Sequence, residues 1–215
     1  MSSPALFAFE LLVLLFSVMV HEIAHGAVAL RLGDETAKRA GRLTLNPLKH
    51  IDPFGSILLP AMLFFLSRVS GGGGILLGWA KPVPYNPLNL KNPRSGAGLI
   101  AAAGPTTNLA LAIVFGIFAR VLLSSGASSE PLNFLLNIVI LTNVSLAIFN
   151  LLPIPPLDGS SVLFSLMPYS ARGVAEFLSR YGIILLLVVV FFGLQIIQPI
   201  IGGLYSVIAG PAAIF

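Results

Sequence analysis

Cysteine is missing from this chain altogether. That excludes a disulfide framework and any thiolate metal site, and it leaves the redox compartment open. Charge is scarce as well. Asp, Glu, Lys and Arg make up only 9% of the residues, against about 25% in a typical soluble domain. A soluble fold of 215 residues would lack the polar surface to stay in solution. A polytopic membrane protein needs little such surface, because lipid covers its outside. No Lys or Arg precedes Arg31, so the positive n-region of a signal peptide is missing. No run of basic residues exists, and aromatic stacking partners are not interleaved with them. The net charge of +4 therefore reads as the flanks of membrane helices, with no nucleic-acid partner.

What the chain has in abundance is apolar sequence, 56% of it. The first apolar segment runs from about Pro4 to Leu32, long enough to cross a bilayer with some tilt. Gly33-Asp34-Glu35 ends it. Within residues 36–52, Arg42-Leu43-Thr44-Leu45-Asn46 alternates with period two and reads as a short strand stopped by Pro47. Residues 54–67 are apolar but too short to span, since a span needs roughly 17 residues or more. With Gly71–Gly74 and Ile75–Ala80 behind them, residues 53–80 read as a re-entrant unit: a short helix in, a glycine turn, an extended return. Gly96–Leu123, Leu132–Leu152 and Gly182–Ile197 are the second, third and fourth spans, with a loop carrying Arg172 and Arg180 before the last. The tail 199–215 is apolar and broken by Pro199, Gly202, Gly203 and Pro211, and its course stays open.

The expected fold is therefore an all-α polytopic membrane protein with about four full transmembrane helices. A re-entrant segment and a small membrane-associated β-sheet complete it. It reads as a single domain over 1–215, with core motifs in 15–160 and a C-terminal helix and apolar tail over 180–215.

The chemistry begins inside the first span. His21-Glu22-Ile23-Ala24-His25 is an H-E-x-x-H run. Two histidines four apart stand one turn apart on one helix face, where both imidazoles can ligate one Zn²⁺. Glu22 can reach a metal-bound water and take its proton. The bland alternative is coincidence. Yet ionisable side chains at mid-membrane cost about 2.5–3.5 kcal/mol each on insertion scales, and three within five positions are hard to explain without a task. A catalytic zinc needs a third protein ligand and an open position. Among the remaining acids, only Asp158 sits at the end of an apolar span beside a proline-rich break, followed by Gly159. Taken alone, Asp158 reads equally well as an ordinary loop acid.

Three motifs in order now stand out. H-E-x-x-H lies at 21–25, Ala103-Gly104-Pro105-Thr106-Thr107-Asn108 opens the second span, and Asn150-Leu151-Leu152-Pro153-Ile154-Pro155-Pro156-Leu157-Asp158-Gly159 closes the third. Together they resemble the site-2 protease family of intramembrane zinc metalloproteases. The stretches Gly41–Pro53 and Gly78–Pro87 look like its compact prokaryotic members, which lack a PDZ domain. The resemblance implies His21 and His25 as ligands to one Zn²⁺ per chain, Glu22 as catalytic base and Asp158 as third ligand. It also implies Asn108 near the active centre. The implied activity is an endopeptidase that cuts within or near transmembrane segments of other membrane proteins, in regulated intramembrane proteolysis. The implied partners are such a substrate and membrane lipid, in a prokaryotic cell membrane. Oligomeric state is not legible.

Asn108 has two readings: an amide donor to a substrate carbonyl or oxyanion, or a hydrogen bond between helices. Asn150 reads as structural, and His50 as an interfacial residue. Arg42–Asn46 and Val83–Tyr85 read either as a sheet edge for an unwound substrate or as an internal sheet shaping the entrance. A rival function is a metal transporter or sensor, which should spread its ligands along a path through several helices. A zinc protease with Glu as third ligand is disfavoured, because no later membrane segment carries a suitable Glu.

Charge also predicts orientation. If 53–80 re-enters, every Lys and Arg except Arg120 falls on one side, and the loop Ser124–Pro131 on the other side has none. The positive-inside bias then gives an external N-terminus, with cytoplasmic loops at 33–52, 81–96 and 158–180. The metal site would lie toward the cytoplasm, roughly 10 Å inside that end of the first helix.

Overall fold

The computed structural model describes residues 4–58, 61–62 and 80–213. Helix α1 spans Pro4–Arg31. It stops in a Schellman motif: Gly33 takes φ +104°, Asp34 N–H donates to the Ala29 carbonyl at 2.9 Å, and Gly33 N–H donates to Leu30 at 3.1 Å. One turn, α2 (Thr36–Arg39), follows. Helix α3 spans Pro93–Ser124. Asn92 caps it by accepting from Ser95 N–H, and Pro93 fills the first position, where a missing N–H costs nothing. Helix α4 (Glu130–Asn150) is capped by Ser129 in the same way. Helix α5 is the short Asp158–Leu166. Helices α6 (Arg172–Val188) and α7 (Leu194–Ala209) are joined by a π-helical turn over Val189–Gly193.

Among the described residues, four helical stretches are long and apolar enough to cross a membrane: Pro4–Arg31, Pro93–Ser124, Glu130–Asn150 and Tyr169–Ala212. The last one exceeds the expected fourth span at both ends. Arg172 and Arg180 lie on this helix and not in a loop, and the tail left open by the sequence is helical as far as Ala212.

Helix α3 lies at the centre and packs against α1, α4, α5 and α7. Lipid tails are as apolar as leucine, so close packing has to replace the hydrophobic effect between spans. Small residues permit it. Ala112 and Ala119 of α3 meet Leu136, Ile140 and Val144 of α4 and Tyr205 and Ala209 of α7, all buried. At Gly116 a Cβ would stand 2.8 Å from the Ile208 carbonyl oxygen. Arg120, the one basic residue outside the charge asymmetry, caps the end of α7. Its Nε donates to Ile208 O at 2.9 Å and its Nη2 to Val207 O. Beside it, Asn137 Nδ2 donates to Ala212 O at 2.8 Å.

The expected β-sheet is absent: no strand occurs among the described residues. Residues 43–45 form bends, and Val83–Tyr85 has no regular secondary structure. The donors explain this. Pro82 and Pro84 have no N–H, and the N–H of Val83 between them goes to Glu22. Arg42 N–H donates back to Ala37, and Asn46 N–H to Thr44 Oγ1. Pro82–Pro84 therefore has no backbone donor left to offer a ladder. The backbone bond from Lys81 N–H to His50 O at 2.8 Å lies outside both segments. Of the re-entrant unit expected over 53–80, most lies outside the described residues. Its entrance, Pro53–Leu58, is a helical turn, with Asp52 Oδ1 accepting from the N–H groups of Phe54 and Gly55.

Candidate active site

The 3.6-residue period of α1 brings His21 and His25 onto one buried face, their rings 4.6 Å apart and nearly perpendicular. That face meets α3 at Gly104. A Cβ there would fall 2.5 Å from His21 Nε2 and 2.6 Å from His25 Nε2, so only glycine leaves room at the imidazoles. Each ring is held from behind. His21 Nδ1 lies 2.5 Å from Asn108 Oδ1, and His25 Nδ1 lies 2.6 Å from the Ile100 carbonyl oxygen. Both partners are acceptors, so each neutral ring carries its proton on Nδ1 and a lone pair on Nε2.

Asp158 arrives from the other side. The turn Leu151–Leu157 ends α4, and α5 begins at Asp158 itself. Gly159 is needed there for closeness and not for an unusual φ. Its φ is not positive, but a Cβ would stand 2.2 Å from Leu151 O and 2.5 Å from Leu152 O. Asp158 Oδ2 lies 3.0 Å from His21 Nε2 and 3.4 Å from His25 Nε2. Glu22 is beside them: His21, Glu22 and His25 offer ligand atoms all within 4.8 Å of one another. Glu22 Oε2 accepts the Val83 N–H at 2.8 Å.

This donor set tests whether a metal fits. With both Nδ1 protons committed, two Nε2 lone pairs and one carboxylate oxygen face the same small volume. Asp158 Oδ2 is buried with no hydrogen-bond donor among the described residues. Three such atoms repel one another unless a positive centre, a divalent cation or an added proton, stands among them. Two imidazole nitrogens and a carboxylate oxygen are a donor set that suits zinc.

All five residues singled out from the sequence, His21, Glu22, His25, Asp158 and Asn108, are thus brought together. The Asn108 amide is fully engaged: besides His21, its Nδ2 donates to Asn143 Oδ1 at 2.9 Å and Ser17 O at 3.2 Å. That is the interhelical reading of Asn108. Asn150 donates to Leu146 O within its own helix, as a structural residue would. His50 is fully buried, with Nε2 2.9 Å from Thr44 O.

Four contributors were not foreseen: Ser17, Val83, Asn143 and, through its backbone carbonyl alone, Ile100. Ser17 and Asn143 had a signal, being uncharged polar residues inside apolar spans, where side-chain hydrogen bonds join helices. Val83 had none, because it acts through its backbone.

Residues 116–189 match the sequence model of peptidase family M50. The chain is 39% identical to "Putative zinc metalloprotease YwhC" of Bacillus subtilis, over 98% of this chain and 94% of that protein. It is 31% identical to "Putative zinc metalloprotease Rip2" of Mycolicibacterium smegmatis and 32% to that of Mycobacterium tuberculosis. Each alignment covers 81% of this chain but only 63% of Rip2, so the chain spans less than two thirds of those relatives. No solved structure matches the chain. Near-complete coverage of YwhC at this identity, a family match and four membrane-length helices place the chain in peptidase family M50, the site-2 protease family, as a membrane metalloprotease.

Proposed function

We propose that the chain is a single-domain intramembrane endopeptidase that uses one zinc ion, held by His21, His25 and Asp158, and Glu22 as its general base. The observation that carries this reading is the convergence of His21 Nε2, His25 Nε2 and Asp158 Oδ2 on one buried point beside the Glu22 carboxylate. Zinc bound there supplies Lewis acidity, which acidifies water and polarises a carbonyl. Asn108 and Ile100 hold the two rings so that Nε2 faces inward. Val83 N–H holds one oxygen of Glu22. The Glu22 carboxylate accepts a proton from water as the water oxygen adds to the scissile carbonyl carbon. It then hands that proton to the amide nitrogen as the C–N bond breaks, leaving an acid and an amine.

The substrate class is a transmembrane segment of another protein. Its peptide bonds are shielded by helical hydrogen bonds, so it must unwind locally to be cut. Charge supports a cytoplasm-facing site, because the Arg120 exception has a structural task of its own. A transporter reading fits less well, since the candidate ligands gather at one point and do not trace a path.

The test is a pair of variants in a reconstituted assay with a membrane-segment substrate. Glu22→Gln should abolish cleavage and keep zinc near one per chain. Asp158→Ala should lose both zinc and cleavage while the bundle stays folded. Near-full proteolysis by Glu22→Gln would overturn the mechanism.

A further inference from the structure

Two backbone carbonyls fix the direction of a buried hydrogen-bond chain that ends at His21. Asn143 Nδ2 donates to Val139 O at 2.9 Å, one turn back in α4, and to Ser17 Oγ at 3.0 Å. A carbonyl can only accept, so the Asn143 amide nitrogen must face Val139, and its oxygen faces Asn108. Asn108 Nδ2 donates to that oxygen at 2.9 Å and to the Ser17 carbonyl at 3.2 Å. Its own oxygen is thereby turned to His21 Nδ1, 2.5 Å away. Every side chain in the chain is buried: Ser17 and His21 at 5% exposure, Asn143 at 1% and Asn108 at 0%. Buried this deeply, a misdirected amide would leave polar atoms unpaired.

We infer that Asn143 and Ser17 are positioning residues for the metal centre, joining α1, α3 and α4 in a relay that sets the tautomer of His21. His25 needs no relay, because the Ile100 carbonyl directs it alone. The arrangement acts as an outer shell: the acceptor on Nδ1 fixes the ring, keeps the proton off Nε2 and raises its basicity toward a metal. The inference rests on the reading of His21 as a ligand, but its first test does not need metal.

The chain has three histidines, so ¹⁵N-histidine labelling gives a spectrum that single His→Gln variants can assign. In metal-free protein, at a pH high enough to keep the rings neutral, His21 and His25 should both carry the proton on Nδ1. Asn143→Leu should shift His21 toward a tautomer mixture, leave His25 unchanged and weaken zinc about 10–100-fold in a chelator competition. Asn143→Asp, kept neutral by burial, can turn its O–H to Val139 O and its carbonyl oxygen to Asn108, and should restore both readouts, which a loss of packing alone would not do. The proton of wild-type His21 on Nε2 would refute the relay, even if Asn143→Leu fails to fold. So would an unchanged His21 tautomer and zinc affinity in folded Asn143→Leu. Expected tautomers in a protein that takes no zinc would support the relay and overturn the active-site reading instead.

Discussion

The carboxylate of Glu22 accepts a hydrogen bond from the backbone N–H of Val83, 61 residues further along the chain, at 2.8 Å. Prolines stand on both sides of Val83, so that N–H is the one backbone donor of Pro82–Pro84. Val83→Pro removes the donor, whereas Val83→Ala keeps it. A hydrogen bond to a charged group contributes about 1.5–3 kcal/mol, so kcat should fall roughly 10-fold or more in Val83→Pro. KM and zinc content should change little, and Val83→Ala should stay close to wild type. Equal loss in both variants would place the effect in the valine side chain.

Gly104 of α3 lies directly against the two imidazoles. A methyl group there would overlap His21 Nε2 and His25 Nε2 at about the separation of bonded neighbours' neighbours, 2.5 and 2.6 Å. Gly104→Ala should therefore drop zinc well below one per chain while the helices remain folded. Elemental analysis beside circular dichroism checks it, and full zinc occupancy would show that α3 can retreat.

Asp34 ties the end of α1 to the loop before α3, outside the membrane-spanning stretches. It accepts from Thr36 Oγ1 at 2.6 Å, Asn89 Nδ2 at 2.6 Å, Asn86 N–H at 2.8 Å and Thr36 N–H at 3.2 Å. Burial pushes its carboxyl up, but these bonds outweigh burial and hold it below the ordinary carboxylate range. A depressed folded pKa means stability that is fully present above the unfolded value, about 3.9. That stability is lost as pH falls through the folded value. Asp34→Asn should lower the melting temperature at neutral pH and flatten the acid side of the stability curve. Parallel curves for variant and wild type would rule the linkage out.

Orientation can be read without removing any native thiol, since there is none. Single cysteines at positions 36 and 92 should be shielded from an impermeant external reagent, and one at 127 should react. Labelling of 36 and 92 from opposite sides would refute both the re-entrant reading of 53–80 and the proposed topology.

Much of the site was legible because it is written locally. The H-E-x-x-H spacing puts two imidazoles on one helix face wherever that helix sits, and the proline-rich break before Asp158 marks where a span must stop. The β-sheet was misjudged for a physical reason. Alternation in Arg42–Asn46 promised a strand, but pairing depends on free donors, and those of Val83 and its proline neighbours were already committed or missing. Gly159 acts by close approach to Leu151 and Leu152, a contact that exists only once the turn is folded. Asn143 and Ser17 stayed hidden because their meaning lies in which helices face each other, and a single sequence does not state that.

The metal-facing atoms come from α1 and from the start of α5, and the groups behind them from α3 and α4. This has a consequence for biosynthesis. A ribosome delivers His21 and His25 early and Asp158 only after three membrane-length helices have been made. Until then the two imidazoles do not face the Asp158 carboxylate, and on the proposed reading the half-made chain has no cutting centre. On the proposed reading, the order of the segments keeps a membrane metalloprotease inert while its first three membrane-length helices are being made.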